Sequence, residues 1–579
     1  MKTRVLMIYP KIPITYWSLE YSLSFINKKG LMPPLGLLTI ASMMPENFDI
    51  KLIDMNINPL YNKDIDDADL VFISSMIVQK KSFNHVVKIC RDFNTPVIAG
   101  GPYPTSSYQD IEGVDYFVLN EAEVTLPKFI SDYEQGNAHH IYWDEYKPDI
   151  TETPAPKYDL IDLNDYSCIA LQYSRGCPFN CEFCDIIEMF GRKPRTKDAD
   201  QFIHEIESVF NIGYQGPIFI VDDNFIGNKN KAKELLKKII IWQKTHTFPF
   251  SFFTEASINL AEDDELLVLM KDAGFNMVFI GIETPDINSL ILTDKKQNIR
   301  SDIQESVKKI QTYGIEVLGG FIIGFDTDPE NIFDLQIKFI QQAGIPMAMM
   351  GLLDALPNTQ LYRRLQKENR LITNSTGNNT HDLHLNFIPK MDLERVEEGY
   401  KRVISEIYTP KNYFSRCITL LKRIPQQKFI SRPLRKNDLR AFFLSLLKQT
   451  FSSYGIHYLH YLMQALWYNH KNLNLTINLA IKGHHFFKMT NEIIMADEFS
   501  SMLKISIKSL QKQAAEIIEN GNSMIAKKME QHINLFKSRI KKRHQQLNQE
   551  IQNQINETFE KFEEYCEQIL CQLKQTNFK

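Results

Sequence analysis

The sequence predicts an α/β protein: an N-terminal doubly wound, Rossmann-like domain, then a partial (β/α)6 TIM-like barrel, then an α-helical C-terminal region. Three observations carry this. Short apolar runs alternate with helix-length amphipathic segments through the first two thirds of the chain, the pattern of parallel strands joined by crossover helices. Small and acidic residues recur where those runs end, which is where such sheets hold their ligands. Beyond residue 386 the strand pattern stops and helical periodicity takes over.

The totals fit this reading. A chain of 579 residues exceeds what one core accommodates. With 44% hydrophobic residues, 23% charged residues and a net charge of −4, it lacks the basic field that a nucleic-acid partner requires. Eight cysteines, three of them clustered, suit a metal in a reducing compartment better than a disulfide scaffold. The opening "MKTRVLMIYPK" has an apolar run of five residues ending at Pro10, too short for a secretory signal. No stretch reads as a spanning helix, so the expected location is the cytoplasm. The segment Ser452–His470 is aromatic and free of Lys, Arg, Asp and Glu. It is a candidate for peripheral membrane contact or for the wall of a lipid-sized pocket, against the plainer reading of a buried helix.

Residues 1–135 form the first predicted domain, with strands "VLMIY", "FDIKLID", "LVFISS", "PVIAGG" and "DYFVLN". Their ends carry Ser74, Ser75, Gly100, Gly101, Pro102, Glu121 and Glu123, as ligand contacts or as turn residues. Residues 136–168 hold three prolines without periodicity in "YKPDITETPAPKYDLIDLNDY" and read as a linker. In residues 169–385 six further strands run from "CIALQYS" to "MAMMGLLDA", separated by helices such as "KAKELLKKIIIWQK". Six strands are short of a closed eightfold barrel, so one side is expected to be open. Residues 386–490 read as a helical domain. Residues 491–579 read as an amphipathic tail with an apolar stripe from Met529 to Cys566 and a break at Gly521-Asn522. That tail is expected either to fold back as a hairpin on its own body or to oligomerise through 495–579.

The chemistry concentrates in "CPFNCEFC", residues 177–184, at the end of the first strand of the second domain. Cys177, Cys181 and Cys184 are three thiols without a fourth beside them. A structural zinc wants four closed ligands, and Cys168, the nearest other cysteine, lies inside the preceding strand. Three thiolates on a cubane cluster instead leave one iron open to a small ligand. Polar residues close the following strands: "VDDNF" with Asp222, Asp223 and Asn224; "TEAS" with Glu255 and Ser257; "GIET" with Glu283; "GGFIIGF" with Gly320 and Gly324. At least one of Asp222 and Asp223 is expected to cap the helix that follows.

The C-x3-C-x2-C spacing, with Phe183 before the third cysteine and its place on the barrel, resembles the radical S-adenosylmethionine (SAM) superfamily. The resemblance implies that Cys177, Cys181 and Cys184 hold a [4Fe-4S] cluster whose open iron chelates SAM. One-electron reduction then yields a 5′-deoxyadenosyl radical, with a donor such as a flavodoxin or ferredoxin. It further implies SAM contacts from Phe183, Asp222, Asp223, Asn224, Glu255, Ser257, Glu283, Gly320 and Gly324. The preceding domain, with "AGGPYPTS" and "VLNEAE", resembles the cobalamin-binding class of that superfamily. "RGCPFNCEFCDI", "FGRKPR" and "VDDNFIGNK" resemble the branch that includes bacterial hopanoid C-2 methylases.

By that resemblance Ser74, Ser75, Gly100, Gly101, Pro102, Glu121 and Glu123 would face cobalamin. One departure stands out: the Asp-x-His-x-x-Gly loop is absent, and the first histidine, His85, falls in a helical pattern. Cobalamin would therefore bind without a histidine ligand. The implied function is methyl transfer from SAM, through cobalamin, to an unactivated carbon of a lipid or natural-product substrate. The alternative is a radical cyclase or rearrangement enzyme on the same two domains, with or without cobalamin. No residue is assigned as a catalytic acid or base.

Overall fold

The computed structural model describes residues 2–380, 385–426, 436–520, 523–547 and 549–576. These form two compact units, Met1–His485 and Phe486–Lys579.

The first unit opens on a six-stranded parallel sheet: β1 (Thr3–Tyr9), β2 (Phe48–Asp54), β3 (Leu70–Ser74), β4 (Val97–Gly100), β5 (Tyr116–Val118) and β6 (Ile141–Tyr142), in the order β2-β1-β3-β4-β5-β6. Side chains alternate across a strand with period two, so an all-apolar strand feeds two cores at once. Leu6, Ile8, Val71 and Ile73 pack with Phe83, Val86 and Cys90 on one face. Val5, Met7, Leu70 and Phe72 pack with Leu37, Leu126 and Phe129 on the other. The sixth strand falls inside the predicted linker, because two residues are too few to show any period.

The second sheet is also parallel. Its members are β7 (Ile169–Leu171), β10 (Pro217–Ile220), β11 (Ser251–Glu255), β12 (Phe275–Glu283), β13 (Glu316–Ile323) and β14 (Ala348–Leu352), each paired with the next in that order. The two outer strands, β7 and β14, do not pair with each other, so the barrel is open as expected. A two-stranded antiparallel ribbon, β8 (Ser174–Arg175) with β9 (Arg195–Thr196), brackets the cysteine loop.

Helices follow. Pro410–Arg423 starts with Thr409 as its side-chain cap and Pro410 in the first turn, as helix starts favour. Its Arg416 is fully buried and donates to the carbonyls of Ile345, Ile407 and Pro346, which fixes this helix against the segment leading into β14.

In the second unit the predicted stripe is a real core. Ile533, Ile540, Ile551, Ile555, Phe562 and Cys566 pack together with Leu503 and Ala514. Ion pairs Lys537–Glu567, Lys541–Glu563 and Lys574–Glu530 join Ser523–Gln546 to Gln549–Thr576 in antiparallel register. The break expected at Gly521-Asn522 lies outside the described residues.

Candidate functional site

The chain leaves β7, makes the short strand β8 and turns at Gly176 into the cysteine loop. Gly176 has φ +91°, and a Cβ there would sit 2.8 Å from the carbonyl oxygen of Gly191. Only glycine combines that dihedral with that approach. Asp222 and Asp223, closing β10, hold this turn from the neighbouring strand. Asp222 accepts from the Tyr173 N–H and the Ser174 hydroxyl, both at 2.7 Å, and Asp223 accepts from the Gly176 N–H at 2.8 Å. Neither caps the following helix, Lys229–Thr245; Asn228 does. That expectation fails because the pair lies several residues before the helix and the loop backbone claims it. Burial pushes Asp222 up to about 7, Asp223 to about 6 and Glu255, closing β11, to about 8.

The three cysteines are surrounded by donors. The Asn224 amide donates to Cys177 Sγ at 3.8 Å and to the Ser257 hydroxyl at 3.2 Å, and the Gln297 amide donates to Cys181 Sγ at 3.7 Å. Burial raises the Cys177 and Cys184 thiols above the ordinary value, an imbalance that a bound cation reverses. Lys295 Nζ lies 5.7 Å from the centre of the Phe183 ring and 2.5 Å from Glu283, which ends β12. Burial works against the Lys295 charge, but Glu283 and the Cys181 and Cys184 sulfurs outweigh it and hold the ammonium well above its usual range. Glu283 sits at φ +63° beside a register shift between β12 and β13, an uncommon backbone for a non-glycine residue. Asn298 supports that distortion by donating to the carbonyls of Gly281 and Ile282.

The loop is locked from outside as well. Glu182 forms a two-pronged pair with Arg364 at 2.5 and 3.1 Å, and Arg364 continues to Asp326 at 2.8 Å. Gly324 and Phe325 both donate backbone N–H groups to Asp328, which brings Phe325 to 6.0 Å from Phe183. At Gly320 the space a side chain would fill is taken by the Phe279 ring.

In the front domain, Ser74, Ser75, Gly100, Gly101 and Pro102 gather at the carboxyl ends of β3 and β4. Pro102 opens the helix Pro102–Ser107, and Gly101 adopts φ +90° where a Cβ would meet the Ser74 hydroxyl at 2.5 Å. The Ser75 hydroxyl and the Tyr103 hydroxyl are buried without a hydrogen-bond partner. Orphaned polar atoms at the carboxyl ends of the strands are what a ligand's polar edge completes, so this end of the sheet fits a cobalamin edge. His85 is exposed on the helix Lys80–Asp92.

Glu121 and Glu123 have a different environment from those five. Arg175, two residues before Cys177, bonds Glu121 and Glu123 at 2.8 Å each, and Arg195 grips Glu121 at 2.7 and 2.9 Å. Arg175 holds the Glu123 carboxyl below its usual value although burial opposes it. The end of β5 is therefore bolted to the ribbon that frames the cysteine loop. The roles of Arg175, Arg195, Lys295 and Gln297 were missed from sequence. Arg175 and Arg195 stand in the quoted motifs "RGCPFNCEFCDI" and "FGRKPR" and could have been singled out there; Lys295 and Gln297 carry no motif.

Among the described residues no group of three or more His, Cys, Asp or Glu side chains is arranged around a single metal ion. A cubane asks for something else, one thiolate on each of three irons, and three buried or half-buried cysteines on one short loop suit it.

Comparison with known proteins agrees with this geometry. Residues 171–339 match the radical SAM superfamily, residues 23–130 the B12 binding domain, and residues 359–498 a domain of unknown function, DUF4070. An uncharacterized methyltransferase of Synechocystis sp. is 38% identical over 89% of this chain and 96% of that protein. The hopanoid C-2 methylase of Rhodopseudomonas palustris is 34% identical over 71% of this chain and 78% of that protein. Among solved structures, the cobalamin-dependent SAM radical enzyme OxsB superposes with a TM-score of 0.54 at 15% identity, covering 86% of this chain and 80% of that one, and shares the fold.

The chain belongs to the family of radical SAM enzymes that carry an N-terminal B12-binding domain. It is an enzyme whose cofactors are a [4Fe-4S] cluster, SAM and cobalamin, acting on a small-molecule substrate with an external reductant.

Proposed function

We propose that this enzyme is a cobalamin-dependent methyltransferase that methylates an unactivated carbon of a lipid-like substrate at a membrane surface. When bound, the cluster with SAM supplies a primary carbon radical and the corrinoid supplies the methyl group. Everything else falls to the chain. Cys177, Cys181 and Cys184 hold three irons. Asn224 and Gln297 donate to two of the sulfurs, a contact that tunes cluster potential. The Lys295–Glu283 pair keeps a fixed charge against Phe183 beside the thiols. Asp222 and Asp223 serve the loop backbone, so SAM contacts are assigned to Asn224, Glu255, Ser257 and Glu283. Ser74, Ser75, Gly100, Gly101 and Pro102 receive the corrinoid edge.

The single observation that carries the reading is the Arg175–Glu121–Glu123–Arg195 network. It ties the strand ends of the B12-binding domain to the residue that introduces the cysteine loop. An enzyme that used only the radical would not need its cluster loop registered on that domain. The lipid-like substrate draws support from the 34% identity with a hopanoid methylase. A flavodoxin or ferredoxin is proposed as electron donor, and the tail as a helical unit stable on its own core, without a dimer seam.

The test is product analysis. Anaerobically reconstituted enzyme, SAM carrying a labelled methyl group and a pentacyclic hydrocarbon lipid should yield a labelled, methylated lipid. Labelled SAM cleaved to 5′-deoxyadenosine with a rearranged and unlabelled lipid would contradict the proposal.

A further inference from the structure

Two short helices, Lys436–Thr450 and Gly455–Asn469, follow each other through the four-residue turn 451–454. So short a connection sets them side by side and antiparallel. Each has one face on the body of the first unit. Ala441 joins Phe25, Ile477 and Ile481 in a small core, and Tyr458 and Tyr461 pack toward Phe414. The opposite faces are apolar and bare. Phe451, Ile456 and Trp467 are 83%, 85% and 83% exposed, and Phe443, Leu447 and Met463 are each well over half exposed. The spacings Phe443–Leu447–Phe451 and Ile456–Met463–Trp467 each keep to one side of a helical path. A patch of this size on a folded protein marks an interaction surface.

We propose that this hairpin lies flat on an anionic lipid bilayer, its outer face sunk to the headgroup–acyl boundary. Charge selects the occupant. After Asp438, and as far as Lys471, the sequence has no acidic residue and three Lys or Arg, in a chain whose net charge is −4. Arg440 and Lys448 on the first helix and Lys471 just after the second are exposed, with Lys448 Nζ 5.0 Å from the centre of the Phe25 ring. Trp467 and Tyr468 stand together at the end of the second helix, an amphipathic aromatic pair of the kind that settles at a membrane interface. Fifteen residues make a helix about 22 Å long, suited to lying in the interface plane. No helix among the described residues is long and apolar enough to cross a membrane. Among the described residues, the apolar stripe of the tail is consumed in a core of its own.

This deepens the membrane contact proposed above and rests on that reading. Flotation measures adhesion without turnover, so its failure would remove the surface and leave methyl transfer standing.

Full-length protein should float with vesicles of equal parts phosphatidylcholine and phosphatidylglycerol. It should float less with phosphatidylcholine alone. The triple variant Phe451→Ser, Ile456→Ser, Trp467→Ser should lose at least tenfold in the floated fraction while keeping the wild-type rate of SAM cleavage. Trp467→Phe, which keeps the apolar surface, should float normally but lose the blue shift in tryptophan emission on vesicle addition. Wild-type protein left at the bottom of the gradient would overturn the proposal, as would undiminished flotation of the triple variant. So would a wild-type dimer that the triple variant dissolves without vesicles, which would assign the face to a second copy.

Discussion

Cys181→Ala is expected to abolish both the visible absorbance of the reconstituted cluster and all release of 5′-deoxyadenosine. Cys181 is the middle thiol of the loop, 7% exposed, and receives the Gln297 amide. Its removal leaves two thiolates for a cluster that needs three to keep one iron, and only one, open. Cys168 does not replace it: that thiol is buried and donates to the Leu31 carbonyl at 3.3 Å. Absorbance spectroscopy and chromatography of the SAM products check this together. Continued 5′-deoxyadenosine formation by the variant would end the radical reading.

Arg175→Leu should separate SAM cleavage from methyl transfer. The guanidinium spans Glu121 and Glu123, whose side chains are 2% and 6% exposed. Breaking a buried pair by deleting one partner costs about 3–5 kcal/mol, because the remaining charge is stranded. Arg195 still holds Glu121 and Thr153 still holds Glu123, so the lower end of that range is expected. A fall of this size shows directly in the urea midpoint. The ratio of methylated product to 5′-deoxyadenosine should fall at least tenfold, since the cluster loop loses its register on the B12-binding domain. Arg175→Lys keeps the charge but not the fork, and should land between the two. An unchanged ratio in Arg175→Leu would show that the network stabilises the fold without coupling the two cofactor sites.

The parts legible in the sequence are those where physics ties residue type to position. Parallel strands buried on both faces have to be apolar throughout, so "VLMIY" and "LVFISS" announce themselves. Three thiols on eight residues have few chemical uses. Glycine at 101 and 176 marks backbone that other residues strain to adopt.

What stayed hidden was pairing across the fold. Asp222 and Asp223 look like ligand contacts or caps, and only the juxtaposition of β10 with the ribbon at Ser174 shows them spent on the loop backbone. Glu283 was visible at a strand end, whereas its partner Lys295 comes from irregular chain after the helix Ile287–Leu292 and carries no pattern. The aromatic segment Ser452–His470 was visible in composition. Which of its residues turn outward was not, because Tyr458 and Tyr461 on the buried face and Ile456 and Trp467 on the bare one are equally apolar in a list.

The B12-binding domain is expected to hold its corrinoid without a histidine ligand, since the Asp-x-His-x-x-Gly loop is absent and His85 is exposed on the helix Lys80–Asp92. The measurement that tests it most directly is gel filtration of anaerobically reconstituted protein with cobalamin, reading the visible spectrum of the protein peak. Cobalamin should co-elute with the protein in stoichiometric amount and show a base-off spectrum. A protein peak free of cobalamin, with the cluster intact and SAM still cleaved, would contradict it.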